Sequence, residues 1–184
     1  MKLFVRLVSV VGILLASSAV AHPGHDEAAP ASLPGARGEF VRNLDSAGKK
    51  LVALAEAVPA DKYGWRPAEG VRSFSEVFLH AAGTNLHLPT FIGVDSPDKR
   101  KPDEIEKSTA KKEEVIALLQ RSLEHLKESA KSLHDSDLET KVKWFSGDVS
   151  KREALFFVAA HNHEHLGQAI AYARMNGITP PWSE

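Results

Sequence analysis

The sequence predicts an all-α fold, a four-helix bundle with two long connections, on three observations. Four separate stretches repeat apolar residues at helical spacing. Two of them open on a Ser-x-x-Glu capping pattern, Ser73-Phe74-Ser75-Glu76 and Ser150-Lys151-Arg152-Glu153. No convincing strand pattern competes with them. Amphipathic helices of this sort are stable only when each apolar stripe is buried against the others, which is what a bundle does.

The first helix is expected from about Glu39 to Ala57, because Phe40, Leu44, Leu51, Leu54 and Ala55 recur on one face and Pro59 closes it. Asp61 to Val71 reads as a connecting segment holding Tyr63, Trp65, Arg66 and Pro67. The second helix starts at its Ser73 cap, carries Val77, His80 and Thr84 on neighbouring turns, and ends near Pro89 and Gly93. A charged loop covers residues 96–107. The third helix, about Thr109 to Leu133, sets Val115, Leu118, Leu119, Leu123 and Leu126 against a face of lysines and glutamates. A second connection, Asp135 to Val149, leads to the Ser150 cap of the fourth helix, which runs to about Asn176 and stops at Gly177, before Pro180 and Pro181.

Ahead of the bundle, residues 1–21 read as a secretory signal peptide: Lys2 and Arg6, an apolar stretch from Leu7 to Leu15, and Ala19-Val20-Ala21 as the cleavage tripeptide. The apolar run is shorter than the roughly 20 residues a membrane-spanning helix needs, so no membrane association is expected once the signal is removed. Residues 22–38 form an Ala-, Pro- and Gly-rich leader without apolar periodicity, expected to be flexible. The expected location is therefore outside the cytoplasm, periplasmic or secreted. With 23 Lys+Arg against 24 Asp+Glu there is no basic excess for phosphate neutralisation, which argues against nucleic acid as a partner. There are no cysteines, so thiolate is removed both as nucleophile and as metal ligand.

Any metal site must then use histidine, carboxylate and water. His161 and His165 are four residues apart on the fourth helix, so their side chains lie one turn apart on one face. Ala154, Phe157, Val158, Ala169 and Tyr172 share that face, which places the imidazoles among apolar groups. His163 points away. His80, mid-helix on the Val77/Thr84 side, is the best third ligand, and three protein ligands leave a coordination position open. Spacing alone leaves the alternative standing, since hydrogen-bonded core or surface imidazoles show the same pattern. Gln168 and Glu164 are candidates to orient a ligand, Glu164 equally a solvated carboxylate. His87 lies roughly 10 Å along the helix from His80 and suits a pocket mouth. His125 and His134 read as surface residues. His22 and His25 sit where a new N-terminus could chelate copper, in a leader too flexible to organise such a site.

The run Trp65-Arg66-Pro67-Ala68-Glu69-Gly70-Val71-Arg72-Ser73, then Glu76, His80 and Asn85, resembles the DinB/YfiT-like family. So do His161 with Glu164-His165-Leu166-Gly167-Gln168, and Asn176-Gly177-Ile178-Thr179-Pro180-Pro181-Trp182. The blocks fall in family order along nearly the whole mature chain. The resemblance implies a four-helix bundle whose metal is held by one histidine of the second helix and two of the fourth, mapping onto His80, His161 and His165, and it implies a homodimer as one assembly. Many members pair two histidines before the Gly-Gln step; here Glu164 precedes His165, which leaves the three-ligand set intact.

What the resemblance implies chemically is a divalent ion, with Zn, Ni, Fe or Cu all compatible with imidazole ligands. Its class of activity is a metal-dependent hydrolase or a thiol-dependent transferase or isomerase acting on a small molecule. An exported location argues against a cytosolic thiol cofactor. The alternative is a non-catalytic metal-binding or stress-response module on the same bundle. No fourth ligand is evident in the sequence, which favours the enzyme. Proton competition is expected to weaken binding near the ordinary imidazole pKa of about 6.5.

Overall fold

The computed structural model describes residues 33–183. The signal segment, His22 and His25 and most of the expected leader lie outside the described residues. The bundle consists of α1 (Gly35–Ala57), α2 (Phe74–His87), α4 (Lys112–Ser132) and α5 (Lys151–Met175), with a one-turn helix α3 (Pro102–Glu106) between α2 and α4. No helix among the described residues is long and apolar enough to cross a membrane.

Both capping boxes form. Ser73 Oγ accepts from the Glu76 amide at 3.3 Å and Glu76 Oε2 accepts from the Ser73 amide at 2.7 Å. Ser150 and Glu153 repeat the exchange at 3.1 and 2.5 Å. Each satisfies two backbone donors that a helix start otherwise leaves unpaired. At the far end of α5, the Gly177 amide donates to Arg174 O and the Ile178 amide to Ala173 O, a Schellman stop that Gly177 enters at φ +70°.

Three segments depart from the expectations. α1 begins at Gly35 rather than near Glu39, because Arg37 ties its first turn to the chain after α4: Arg37 Nε donates to Asp135 Oδ1 at 2.7 Å, and its Nη1 donates to Leu133 O. The third bundle helix starts three residues later than Thr109, whose hydroxyl instead accepts the Lys111 amide and donates to Glu114 in a turn that precedes the helix. The second connection holds a β-hairpin, β1 (Lys141–Trp144) paired antiparallel with β2 (Gly147–Ser150), in place of irregular loop. Four-residue strands carry too little alternation to stand out in sequence. They persist here because Trp144 and Val149 pack against the bundle, with Val142 half-buried on the same hairpin.

The core has two apolar layers. One gathers Leu51, Leu54, Tyr63, Phe74, Phe78, Leu119 and Tyr172; the other gathers Phe40, Leu44, Leu126, Leu133, Leu155 and Val158. Between them lies a fully buried polar set, Asn85 on α2, Ser122 on α4 and Asn162 on α5. The two amides exchange bonds, Asn162 Nδ2 to Asn85 Oδ1 at 2.8 Å and Asn85 Nδ2 to Asn162 Oδ1 at 3.2 Å, and Asn85 Nδ2 also reaches Ser122 Oγ at 3.4 Å. A reciprocal pair across two helices is satisfied only in one register, so it fixes how far α2 slides along α5.

Candidate metal centre

That register brings the three expected histidines together. His80 Nε2 lies 3.2 Å from His161 Nε2, and His165 Nε2 lies 3.1 Å from the same atom. Ring centroids are 5.1 Å apart for His80 and His161, 4.7 Å for His80 and His165, and 4.3 Å for His161 and His165. His165 is buried, while His80 and His161 are half-buried. Three nitrogens each about 2.1 Å from a tetrahedral ion would stand roughly 3.4 Å from one another. The observed spacing is close to that.

Hydrogen bonds on the other side of each ring decide what the converging atoms can do. His80 Nδ1 is 2.7 Å from Glu106 Oε2, and a carboxylate only accepts, so Nδ1 carries the proton. Arg72 Nη2 stands 3.0 Å from that nitrogen, brought there by its own ion pair with Glu106, whose Oε1 accepts from Arg72 Nε at 2.9 Å. His165 Nδ1 donates to Gln168 Oε1 at 2.9 Å, because the Gln168 amide nitrogen is turned to Tyr172 Oη at 3.1 Å. In neutral His80 and His165, Nε2 is therefore a bare lone pair aimed at the common centre. A proton on His161 Nε2 could be donated to only one of its two neighbours. A cation accepts all three lone pairs, so the donor set fits a metal better than it fits a hydrogen-bonded cluster. The Nδ1 of His161 is buried and has no partner among the described residues.

Burial pushes the His161 imidazole down to about 3, with the neighbouring His165, His80 and Arg72 acting in the same direction. His165 is lowered too, again chiefly by burial, with the Gln168 hydrogen bond opposing. Glu106 feels burial upward, but the hydrogen bonds and charges of Arg72 and His80 outweigh it and hold the carboxyl below its ordinary range. The shifts on His161 and His165 favour the neutral imidazole, the form a metal requires, at pH values below the 6.5 of an unperturbed side chain.

Glu106 and Arg72 are site residues that the sequence reading did not single out. α3 was expected as plain loop. Its placement depends on Gly83, where an added Cβ would lie 3.1 Å from Pro102 O, and on Ile105, which is buried against the main apolar layer. The available signal was Pro102-Asp103-Glu104-Ile105-Glu106, a proline start with acidic residues in the first turn and one apolar anchor.

The remaining candidates separate cleanly. His163 faces away and meets Asn43 Oδ1 at 3.0 Å. Gln168 orients His165, whereas Glu164 is exposed and is no part of the cluster. Trp65 packs on Phe74 and edge-on to Tyr172, the residue that holds Gln168, so the connecting segment supports the site indirectly. Arg66 pairs with Glu76 at 3.1 Å. His87 sits half-buried beside Phe91. His134 is exposed, as expected, but His125 is half-buried, with a buried Nε2 that lacks a partner among the described residues and a pKa lowered by burial. Phe157, expected inside with the imidazoles, is 44% exposed and stacks over His161 with ring centroids 6.2 Å apart.

A four-helix bundle with a three-imidazole cluster seated between its second and last helices defines the class of protein. The sequence model of the DinB superfamily matches residues 43–169, and the chain belongs to that superfamily. No curated protein sequence matches it. Among solved structures, it is similar to a DinB-like protein from Bacillus cereus, at 15% identity and TM-score 0.69, covering 77% of this chain and 93% of that one. It is also similar to YfiT from Bacillus subtilis, a probable metal-dependent hydrolase with an unusual four-helix bundle topology (15% identity, TM-score 0.61, 78% and 89% covered). A third likeness is to the mycothiol-dependent maleylpyruvate isomerase, at 16% identity and TM-score 0.59, with 73% of this chain but only 60% of that one covered.

Proposed function

We propose that this protein is an exported metal-dependent enzyme in which His80, His161 and His165 hold one divalent ion through their Nε2 atoms. The observation that carries the reading is the convergence of three Nε2 atoms, two of them with tautomers set from behind by Glu106 and Gln168. Among the described residues no fourth His, Asp or Glu joins the cluster, which suits an ion that keeps a position for substrate. When bound in such a set of neutral ligands, a divalent ion supplies electrophilic polarisation and a lowered pKa for coordinated water. The chain's own residues orient it: Glu106 fixes the plane of the His80 ring, Gln168 that of His165, and the buried amide pair fixes the distance between the helices that carry them.

The reaction class is hydrolase or thiol-dependent transferase. The likeness to YfiT supports the former, and the signal peptide, by taking the chain away from cytosolic thiols, favours it further. The test is purification of the mature protein from its native compartment, metal analysis, and a screen of esters, amides and thiol-transfer substrates. One equivalent of Zn, Ni, Fe or Cu with a metal-dependent turnover supports the proposal. A metal-loaded protein inert to all three substrate classes would point instead to a binding module. The same preparation reads the N-terminus by mass spectrometry: His22 supports export, and an intact Met1 in a cytosolic protein restores the thiol-dependent reading.

A further inference from the structure

On α2 and the turn that follows it, residues 81–83, 85, 86, 88 and 89 are all buried, leaving a narrow half-exposed stripe of His80, Thr84 and His87 that continues to Phe91. On α5 a partly exposed stripe of Phe157, His161 and Gln168 faces it across the cluster. The hairpin lies beside both stripes. Phe91 lies 5.0 Å from Trp144 and 5.0 Å from Phe145, Trp144 lies 5.4 Å from Phe157, and Phe157 stacks on His161. A continuous set of rings thus runs from a candidate metal ligand to the tip of the β-turn. Phe145 and Phe157 stay 69% and 44% exposed, although burying either ring would be favourable. His80 and His87 are about 10 Å apart along the helix axis, the length of a small two-part molecule.

We infer that this ring-lined face beside the imidazoles selects substrates with an aromatic or similarly flat apolar body, which lies against Phe157, Trp144 and Phe91 while a polar head reaches the three imidazoles. The inference rests on the metal reading above and adds to it the class of substrate. Rings recognise rings through edge-to-face and offset contacts, and His87 and Thr84 supply the polar groups between the head and the wall. The alternative use of exposed rings at a hairpin tip is insertion into a lipid surface. The local charges speak against it, since Lys143 pairs with Asp148, Lys141 with Glu153 and Arg152 with Glu139, which leaves little basic excess for anionic headgroups.

The experiment compares two probes with the same chelating head, benzohydroxamate and acetohydroxamate, by calorimetric titration of the zinc-loaded protein. Benzohydroxamate should bind at least tenfold more tightly, and Phe157→Ala should shrink that ratio by roughly threefold to tenfold. Phe145→Ala, at an exposed turn position where folding is not at stake, should shrink it in the same direction. Zinc stoichiometry is read first. A protein that takes up no zinc overturns the metal reading and this inference with it. A protein that takes up one zinc but binds both probes alike overturns the inference alone. The same holds if the two probes bind alike and the protein sediments with phosphatidylglycerol vesicles, which would assign the rings to a membrane.

Discussion

The buried amide pair offers a quantitative test of how the site is held. Replacing Asn162 by the near-isosteric Leu removes the acceptor and the donor that satisfy Asn85, leaving only its 3.4 Å contact with Ser122. The Asn85 Oδ1 is then orphaned and its Nδ2 keeps only that long contact, in a region with no solvent exposure, so at about 1–3 kcal/mol for each poorly satisfied group the single variant should lose roughly 2–4 kcal/mol. Asn85→Leu should cost a similar amount. The double variant removes the unsatisfied groups altogether, and should recover to within about 1 kcal/mol of the parent, a coupling of at least about 3 kcal/mol. Urea unfolding of the four metal-free proteins measures this. Zinc titration of the double variant should nonetheless show weaker binding, because Leu against Leu packs in more than one register and no longer fixes His80 opposite His161. Additive losses below about 0.5 kcal/mol per substitution, or undiminished zinc affinity in the double variant, would refute the reasoning.

Three further outcomes follow from the site geometry. His161→Ala should abolish or greatly weaken metal binding while His163→Ala leaves it unchanged, as read by metal analysis after dialysis; equal losses would break the helical-face argument. Glu106→Ala, which frees the His80 ring to turn, should lower zinc affinity roughly 10-fold to 100-fold in competition titrations with little change in helical content. Acid should destabilise the metal-free protein, because between the ordinary histidine pKa of 6.5 and the value of about 3 imposed on His161 the unfolded chain binds a proton that the folded chain refuses. Stability contributed by the neutral ring is fully present above pH 6.5 and falls as pH drops towards 3; a melting temperature flat across that window would contradict the burial of His161.

The four bundle helices were legible in sequence because each carries a long apolar stripe, and their starts at Ser73 and Ser150 because a capping box is a local signal. The histidine cluster was legible for a related reason: the i,i+4 spacing of His161 and His165 fixes them to one face of any helix, and His80 stood on the apolar side of another. What surrounds them was not. Glu106 reaches His80 through a five-residue helix held by a glycine contact and a single isoleucine, a tertiary arrangement with no periodicity of its own. Phe157 was misplaced because helical spacing puts it in line with His161, but the neighbouring element there is a short hairpin that covers the ring only in part. His125 was misread because lysines and glutamates flank it on α4, whereas its own side chain is drawn half inside. Local patterns identify faces; which face an irregular connection covers is decided by packing between distant segments.

The chemistry of the site turns on one atomic position. A crystal of the mature protein grown with zinc, measured on both sides of the zinc absorption edge, should show a single anomalous peak about 2.0–2.1 Å from the Nε2 atoms of His80, His161 and His165. Glu106 and Gln168 should remain on the Nδ1 atoms of His80 and His165. A peak elsewhere, or a zinc held by His161 and His165 with His80 turned out to solvent, would contradict it.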